Sequence, residues 1–151
     1  MKVVIIGNTG FIGNSIYNYL GKTKEYDLIG ISKNEIDLSG EKNSIALSKY
    51  LTADCIVVMC AGVKKQLGDN LSTFENNSTI INNFCRAISL VPPKKIIFFS
   101  SASVYGEDVD YDEKINEKTP VQPKTYYGIA KYTAERLLEK ICTENETELV
   151  I

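Results

Sequence analysis

Residues 3–6, Val-Val-Ile-Ile, run straight into the glycine-spaced segment Gly7-Asn8-Thr9-Gly10-Phe11-Ile12-Gly13. A short, wholly apolar, β-branched run suits a strand buried on both faces. Beyond the turn cluster at 8–10, Phe11, Ile12, Ile16, Tyr19 and Leu20 recur at helical spacing. A buried strand that turns through glycines into a helix is the start of a βα unit. The next parallel strand then needs a crossover, so this one junction already narrows the fold to a covered, largely parallel sheet.

The rest of the chain repeats the pattern. Residues 27–32 and 55–60 (CIVVMC) read as second and third strands, with a short helix between them around Ile45, Ala46 and the Tyr50–Leu51 pair. Residues 74–90 are helical by the spacing of Phe74, Ile80, Ile81, Phe84, Ala87 and Ile88, and Pro92 and Pro93 stop the helix. A fourth strand fits 95–100 (KIIFFS). A polar, acidic loop at 107–123, a long helix at about 125–142 and a fifth strand from 148 follow. Buried strands alternating with amphipathic helices predict an α/β fold with helices on both faces of the sheet, in three layers.

Composition removes several function classes. The net charge of −2 gives no basic footprint for nucleic acid or an anionic membrane surface. There is no histidine, and Cys55, Cys60, Cys85 and Cys142 show no CxxC spacing, so no metal site is expected and the thiols suit a reducing compartment. The opening MKVVIIG is too short for a secretion signal, and no apolar stretch approaches the ~18 residues that span a bilayer. A cytoplasmic location with no membrane partner is the expectation.

The glycine loop has a specific physical use. Gly7 would permit a tight turn, Gly10 the close approach of a pyrophosphate, and Gly13 close packing of helix on strand. The phosphates would rest on N–H groups at the helix N-terminus. The competing reading is a glycine-rich turn with no ligand; a P-loop is excluded because no GK[ST] follows. When NAD is the cofactor, the second strand of such a unit ordinarily ends in an acid for the adenosine ribose. Here it ends Ile31-Ser32-Lys33. Serine and lysine match a 2′-phosphate better, which favours NADP slightly over NAD; solvated loop residues are the alternative. Asp37, followed by Leu38, is expected at the adenine end.

Tyr127 and Lys131 form YxxxK, one helical turn apart on the same face of the last long helix. An ammonium beside a phenol is expected to favour phenolate and lower the tyrosine pKa. The spacing alone is weak evidence, since a chain with nine tyrosines yields about one YxxxK by chance. Its position after the strand-end phrase Ser100-Ser101-Ala102-Ser103 adds weight, because parallel sheets bind ligands beyond the carboxyl ends of their strands. Ser101 could hydrogen-bond a substrate carbonyl or alkoxide.

In this order and spacing, the three motifs resemble the extended short-chain dehydrogenase/reductases, and in particular the NAD(P)-dependent nucleotide-sugar epimerases, dehydratases and reductases. The resemblance covers nearly the whole chain and implies a Rossmann-type doubly wound parallel sheet over residues 1–151. IIFFSSASVYG is similar to the family's catalytic strand end, with Ser101 at the matching position. YYGIAK is similar to YGxSK, which implies Tyr127 as general acid/base and Lys131 as its lysine and as a holder of the nicotinamide ribose. Cys60, Ala61, Gly62 and Lys64, with Val63 among them, resemble the loop that runs beside the cofactor. Asn76-Asn77 falls where the family has a cofactor-side asparagine; a polar helix start is the other reading. The short link from Ser32 to Asp37-Leu38 resembles the dehydrorhamnose-reductase and GDP-fucose-synthase branches. The resemblance further implies a nucleotide-sugar substrate, NADP or NAD as cofactor, and a homodimer packed through helices 74–90 and 125–142. Family members usually carry a C-terminal substrate domain, which is absent from these 151 residues. The chain alone is therefore expected to be inactive, and a non-catalytic NAD(P)-binding module is the alternative function.

Overall fold

The computed structural model describes residues 1–40, 43–106 and 115–151. Five strands form one parallel sheet: β1 (Lys2–Ile6), β2 (Asp27–Ile31), β3 (Ile56–Met59), β4 (Lys95–Phe98) and β5 (Glu148–Val150), in the order β2-β1-β3-β4-β5. The helices are α1 (Phe11–Thr23), α2 (Asn43–Ser48), α3 (Leu71–Leu90) and α4 (Tyr126–Glu144). The chain leaves β1 towards β2 and then returns to the other side of β1 with β3. Such a reversal opens a crevice at the carboxyl ends of the two strands.

Strand geometry divides the core in two, because successive side chains point to opposite faces. Val4, Ile6, Val57 and Met59 pack with Phe84 and Ile88 of α3 and Leu138 of α4. Val3, Ile5 and Val58 pack on the other face with Ile16, Tyr17 and Leu20 of α1. The register Val4↔Val57 and Ile5↔Val58 keeps each set on its own side. The three-layer α/β/α arrangement is the one expected from the sequence.

Element boundaries depart from the sequence reading where caps decide them. α3 begins at Leu71, not 74, because the Asn70 side chain accepts from Thr73 N at 3.1 Å. Asn76 and Asn77 therefore lie in its second turn and are not a helix start. α4 is capped by Thr125, whose hydroxyl accepts from Gly128 N at 3.0 Å. α2 ends at Ser48, short of Tyr50 and Leu51. A 3₁₀ turn at Lys65–Leu67 and another at Ala102–Tyr105 have no counterpart in the sequence reading. Of the expected acidic loop, residues 107–114 lie outside the described residues. No helix among the described residues is long and apolar enough to cross a membrane.

Candidate functional site

The crevice at the β1/β3 reversal encloses about 610 Å³, within the range of small-molecule and cofactor sites. Gly7, Thr9, Gly10, Phe11, Ile12 and Gly13 line one end, with Ser32, Lys33, Asp37 and Leu38 beside them. Cys60, Ala61, Gly62, Val63, Lys64 and Asn76 form the middle, and Tyr127 and Lys131 the far end. Asn8 and Ser101 are not among the lining residues. Asn8 packs its side-chain amide where a Cβ on Gly30 of β2 would otherwise stand, and its Oδ1 is buried.

Sterics dictate the glycine end. Gly7 has φ +84°, and a Cβ there would stand 2.9 Å from Ala61 N; its own N–H donates to Ile31 O at 2.7 Å. A Cβ on Gly13 would fall 2.3 Å from Gly7 O, so this glycine lets α1 seat on the loop itself. Gly10 precedes α1 and offers no side-chain cap, so no capping side chain occupies the first-turn N–H groups. Phe11 and Ile12 count among the apolar positions at helical spacing, yet they line the crevice. They are 82% and 43% exposed, and the core contacts of α1 are made by Ile16, Tyr17 and Leu20.

At the end of β2, both groups that the sequence offered to a 2′-phosphate are engaged. Ser32 N donates to Glu35 Oε2 at 2.7 Å and the Ser32 hydroxyl donates to the same oxygen. Asn34 N donates back to Ser32 Oγ at 3.2 Å. The Glu35 carboxylate thus closes back on Ser32 across a tight turn in which Glu35 N also donates to Ser32 O, which is one half of a capping box. The Ser32 hydroxyl, then its N–H, holds the Glu35 carboxyl below its usual pKa. Lys33 pairs with Asp37 Oδ2 at 3.5 Å, and Asp37 also accepts from Ser39 N at 2.9 Å and Ser39 Oγ at 2.6 Å. Sequence reasoning missed Glu35, although the Ser32-x-x-Glu35 spacing was there to be read.

The middle of the crevice is held by a residue with a structural task. Asn77 Oδ1 accepts from Val63 N at 2.8 Å, while its Nδ2 donates to Val63 O and Thr73 O, each at 3.1 Å. Like a strand partner, it fixes the loop after β3. Asn76, one position earlier, faces the crevice.

Tyr127 and Lys131 do share a face of α4, but their coupling differs from the sequence expectation. Lys131 Nζ donates to Phe99 O at 2.7 Å and lies 4.7 Å from the Phe98 ring centroid. Burial brings its pKa down to about 8, opposed by Cys60 and Glu135. Burial pushes the Cys60 thiol up to about 11. Burial likewise raises the Tyr127 hydroxyl above its usual range, and only a hydrogen bond with Ser101 pulls it back. Lys131 Nζ also stands 6.0 Å from the Tyr127 ring centroid, yet burial, not the ammonium, sets the direction of the Tyr127 shift, opposite to the one expected. Ser101 also caps the following 3₁₀ turn, accepting from Ser103 N at 3.2 Å. The neighbouring Ser100 hydroxyl donates to Glu135, one turn beyond Lys131. Glu135 was not singled out from the sequence, where its only signal was the i, i+4 spacing.

The model of the NAD dependent epimerase/dehydratase family matches residues 3–151. The uncharacterized UDP-glucose epimerase YtcB of Bacillus subtilis (strain 168) is 27% identical over 91% of this chain and 50% of its own length. A GDP-6-deoxy-D-talose 4-dehydrogenase of Aggregatibacter actinomycetemcomitans is 23% identical over 93% of this chain and 48% of its own. A UDP-glucuronic acid 4-epimerase variant from Bacillus cereus, solved with NAD and a fluorinated UDP-sugar, superposes with a TM-score of 0.80. It is 22% identical and covers all of this chain and 55% of its own. The chain thus spans about half the length of the curated relatives it matches.

Proposed function

Because the chain belongs to the NAD dependent epimerase/dehydratase family, we propose that it is the cofactor-binding domain, with the acid/base residues, of an enzyme that acts on a nucleotide-linked sugar. One observation carries this reading: a single crevice joins the glycine-spaced turn to Tyr127 and Lys131. Gly7, Gly10 and Gly13 leave a cradle that any Cβ would crowd, and N–H groups without a side-chain cap at the start of α1 suit a pyrophosphate. The residues present fit a dinucleotide.

In this proposal the first turn of α1, from Gly10 through Thr9, Phe11 and Ile12, holds the pyrophosphate. Asp37 and Leu38 flank the adenine, and Cys60, Ala61, Gly62, Lys64 and Asn76 line the cofactor's side. Asn8 acts behind the turn, packed on β2. The bound cofactor supplies hydride exchange with a sugar carbon. Tyr127 takes the proton of the hydroxyl on that carbon or returns it, Ser101 hydrogen-bonds the same oxygen, and Lys131 supplies positive charge beside them and a donor to the nicotinamide ribose. Substrate oxygen and ribose hydroxyls entering between Tyr127 and Lys131 would compete with Phe99 O for the ammonium and turn it towards the phenol. A nucleotide sugar is the substrate class that the relatives' names support, and a homodimer through α3 and α4 belongs to the same proposal.

Calorimetric titration of the 151-residue chain with NADH tests the reading. Binding that Gly10→Glu abolishes supports it. A folded chain that binds no nicotinamide dinucleotide overturns it, and binding without any effect of Gly10→Glu relocates the site. Light scattering checks the dimer.

A further inference from the structure

The end of the crevice assigned above to the adenine stands on a buried polar residue that so far has no task. Asn83 is 3% exposed on the inner side of α3, buried together with Phe84 and Ala87. A side-chain amide in such a place is costly unless its hydrogens are bonded. Asn83 Nδ2 donates to Leu38 O at 2.9 Å and to Gly40 O at 3.0 Å, 45 and 43 positions away in the chain. Both hydrogens of one amide nitrogen are thus spent on a single short stretch.

That stretch is a closed turn. Gly40 N donates to Asp37 O at 3.0 Å, and the Asp37 carboxylate takes the Ser39 N–H and hydroxyl. Asn43, at the start of α2, donates its amide to the same Asp37 carbonyl. Ile36 and Leu38 sink into the core cluster that holds Phe84, while Asp37, Leu38 and Ser39 line the crevice. Bonds within 37–43 give the turn its shape. A fixed place on the fold needs bonds from a separate element, and Asn83 supplies two.

We propose that Asn83 is a positioning residue for the adenosine half of the cofactor: from behind the crevice its amide pins the carbonyls of Leu38 and Gly40, and so presents Asp37 and Ser39 in a fixed arrangement. This rests on the cofactor-site reading above and deepens it. Asn83 is not among the residues that line the crevice and acts only through the turn. A turn held in place before the dinucleotide arrives loses little freedom on binding, whereas one that the ligand must order weakens the complex.

Leucine has nearly the shape of asparagine and no donor, so Asn83→Leu fills the space and releases the turn. Calorimetric titration of the folded variant and the wild type with NADH, and with ADP-ribose, which lacks the nicotinamide, reads the effect. Both ligands are expected to weaken by the same factor, about tenfold, with their ratio kept within about twofold. Asp37→Ala tests the route: in that background Asn83→Leu should cost less than about threefold, since part of what the turn presents is already gone. If Asn83→Leu does not fold, Asn83→Ser, which keeps a shorter donor, carries the same comparisons. Unchanged affinity in a folded variant overturns the proposal. So does a loss seen with NADH but not with ADP-ribose, or an undiminished loss in the Asp37→Ala background. A folded wild type that binds neither ligand overturns it together with the cofactor-site reading. A wild type that binds both, with Asn83 variants indistinguishable from it, sinks the Asn83 assignment alone.

Discussion

The two ends of the crevice are built on different principles. The glycine end is made of backbone: what counts at Gly7, Gly10 and Gly13 is the atom that is missing, and the nearest obstacles to a Cβ are carbonyls and amides that cannot move aside. The Tyr127–Lys131 end is made of side chains held by contacts from distant parts of the sequence, such as Lys131 Nζ on Phe99 O. A glycine turn is thus inseparable from the fold, whereas the acid/base set is mounted on a fold that stands without it. Damage at the first end should appear as lost stability, and at the second as lost chemistry.

The strongest test of that contrast is Gly13→Ala. A methyl group 2.3 Å from Gly7 O forces α1 away from the loop, and we expect a loss on the order of 3 kcal/mol, read from the urea midpoint. A change below about 0.5 kcal/mol would mean that the loop yields easily and that the contrast is false. Next in size is Asn77→Ala, in the middle of the crevice. It removes three hydrogen bonds and leaves Val63 N–H without its acceptor, which should cost about 2 kcal/mol. Faster amide exchange confined to the loop after β3 would mark Asn77 as a clamp, while uniform acceleration would make it an ordinary core residue.

Lys131 allows a finer test because its ionisation is linked to folding. Its folded pKa of about 8 lies below the ordinary lysine value, so above pH 8 the unfolded chain holds more protons than the folded one at this site. Stability from this group therefore rises with pH above 8, as the penalty for burying the ammonium is relieved. Cys60 and Cys85, raised to about 11 and 12, act in the opposite sense above their unfolded value of 9.0. The lysine is thus best seen between pH 8 and 9. There the wild type should gain on the order of 1 kcal/mol relative to Lys131→Met, while the variant at pH 7 is no less stable than the wild type. A parallel pH dependence of the two proteins would place the lysine in water.

The same division explains how much of the molecule could be read in advance. Strands β1, β3 and β4 and their order of burial were legible because an apolar run has one physical outcome in an α/β chain. The turn at Gly7 was legible because only glycine tolerates its φ. Tyr127 and Lys131 were found by spacing, but the direction of the ammonium was not, since Phe99 O lies 32 residues away and no local pattern encodes it. Ser32 and Lys33, read by residue type, slightly favour a 2′-phosphate over solvated loop residues, and residue type says nothing of what those side chains do to their own neighbours. Glu35 at i+3 and Asp37 at i+4 are local partners, and their claim on Ser32 and Lys33 came first.

Ser101→Ala should have the smallest effect on the fold and therefore draws the sharpest line between the two ends. The hydroxyl is half-buried, bonds Ser103 N and Ser103 Oγ within its own turn, each at 3.2 Å, and shares a hydrogen bond with Tyr127, so stability should change by about 1 kcal/mol or less. NADH affinity should stay within about twofold, because Ser101 is not among the residues that line the crevice. What should move is Tyr127. Without the Ser101 hydrogen bond, nothing named in its surroundings opposes burial, and its pKa should rise further. Difference titration of phenolate absorbance, Ser101→Ala against wild type and with Tyr127→Phe to identify the band, reads that shift directly. An upward shift with unchanged melting and unchanged NADH affinity would establish a residue that acts on chemistry alone. A large loss of stability would instead mean that the strand-end serine is part of the scaffold, and that the two ends of the crevice are less separable than their construction suggests.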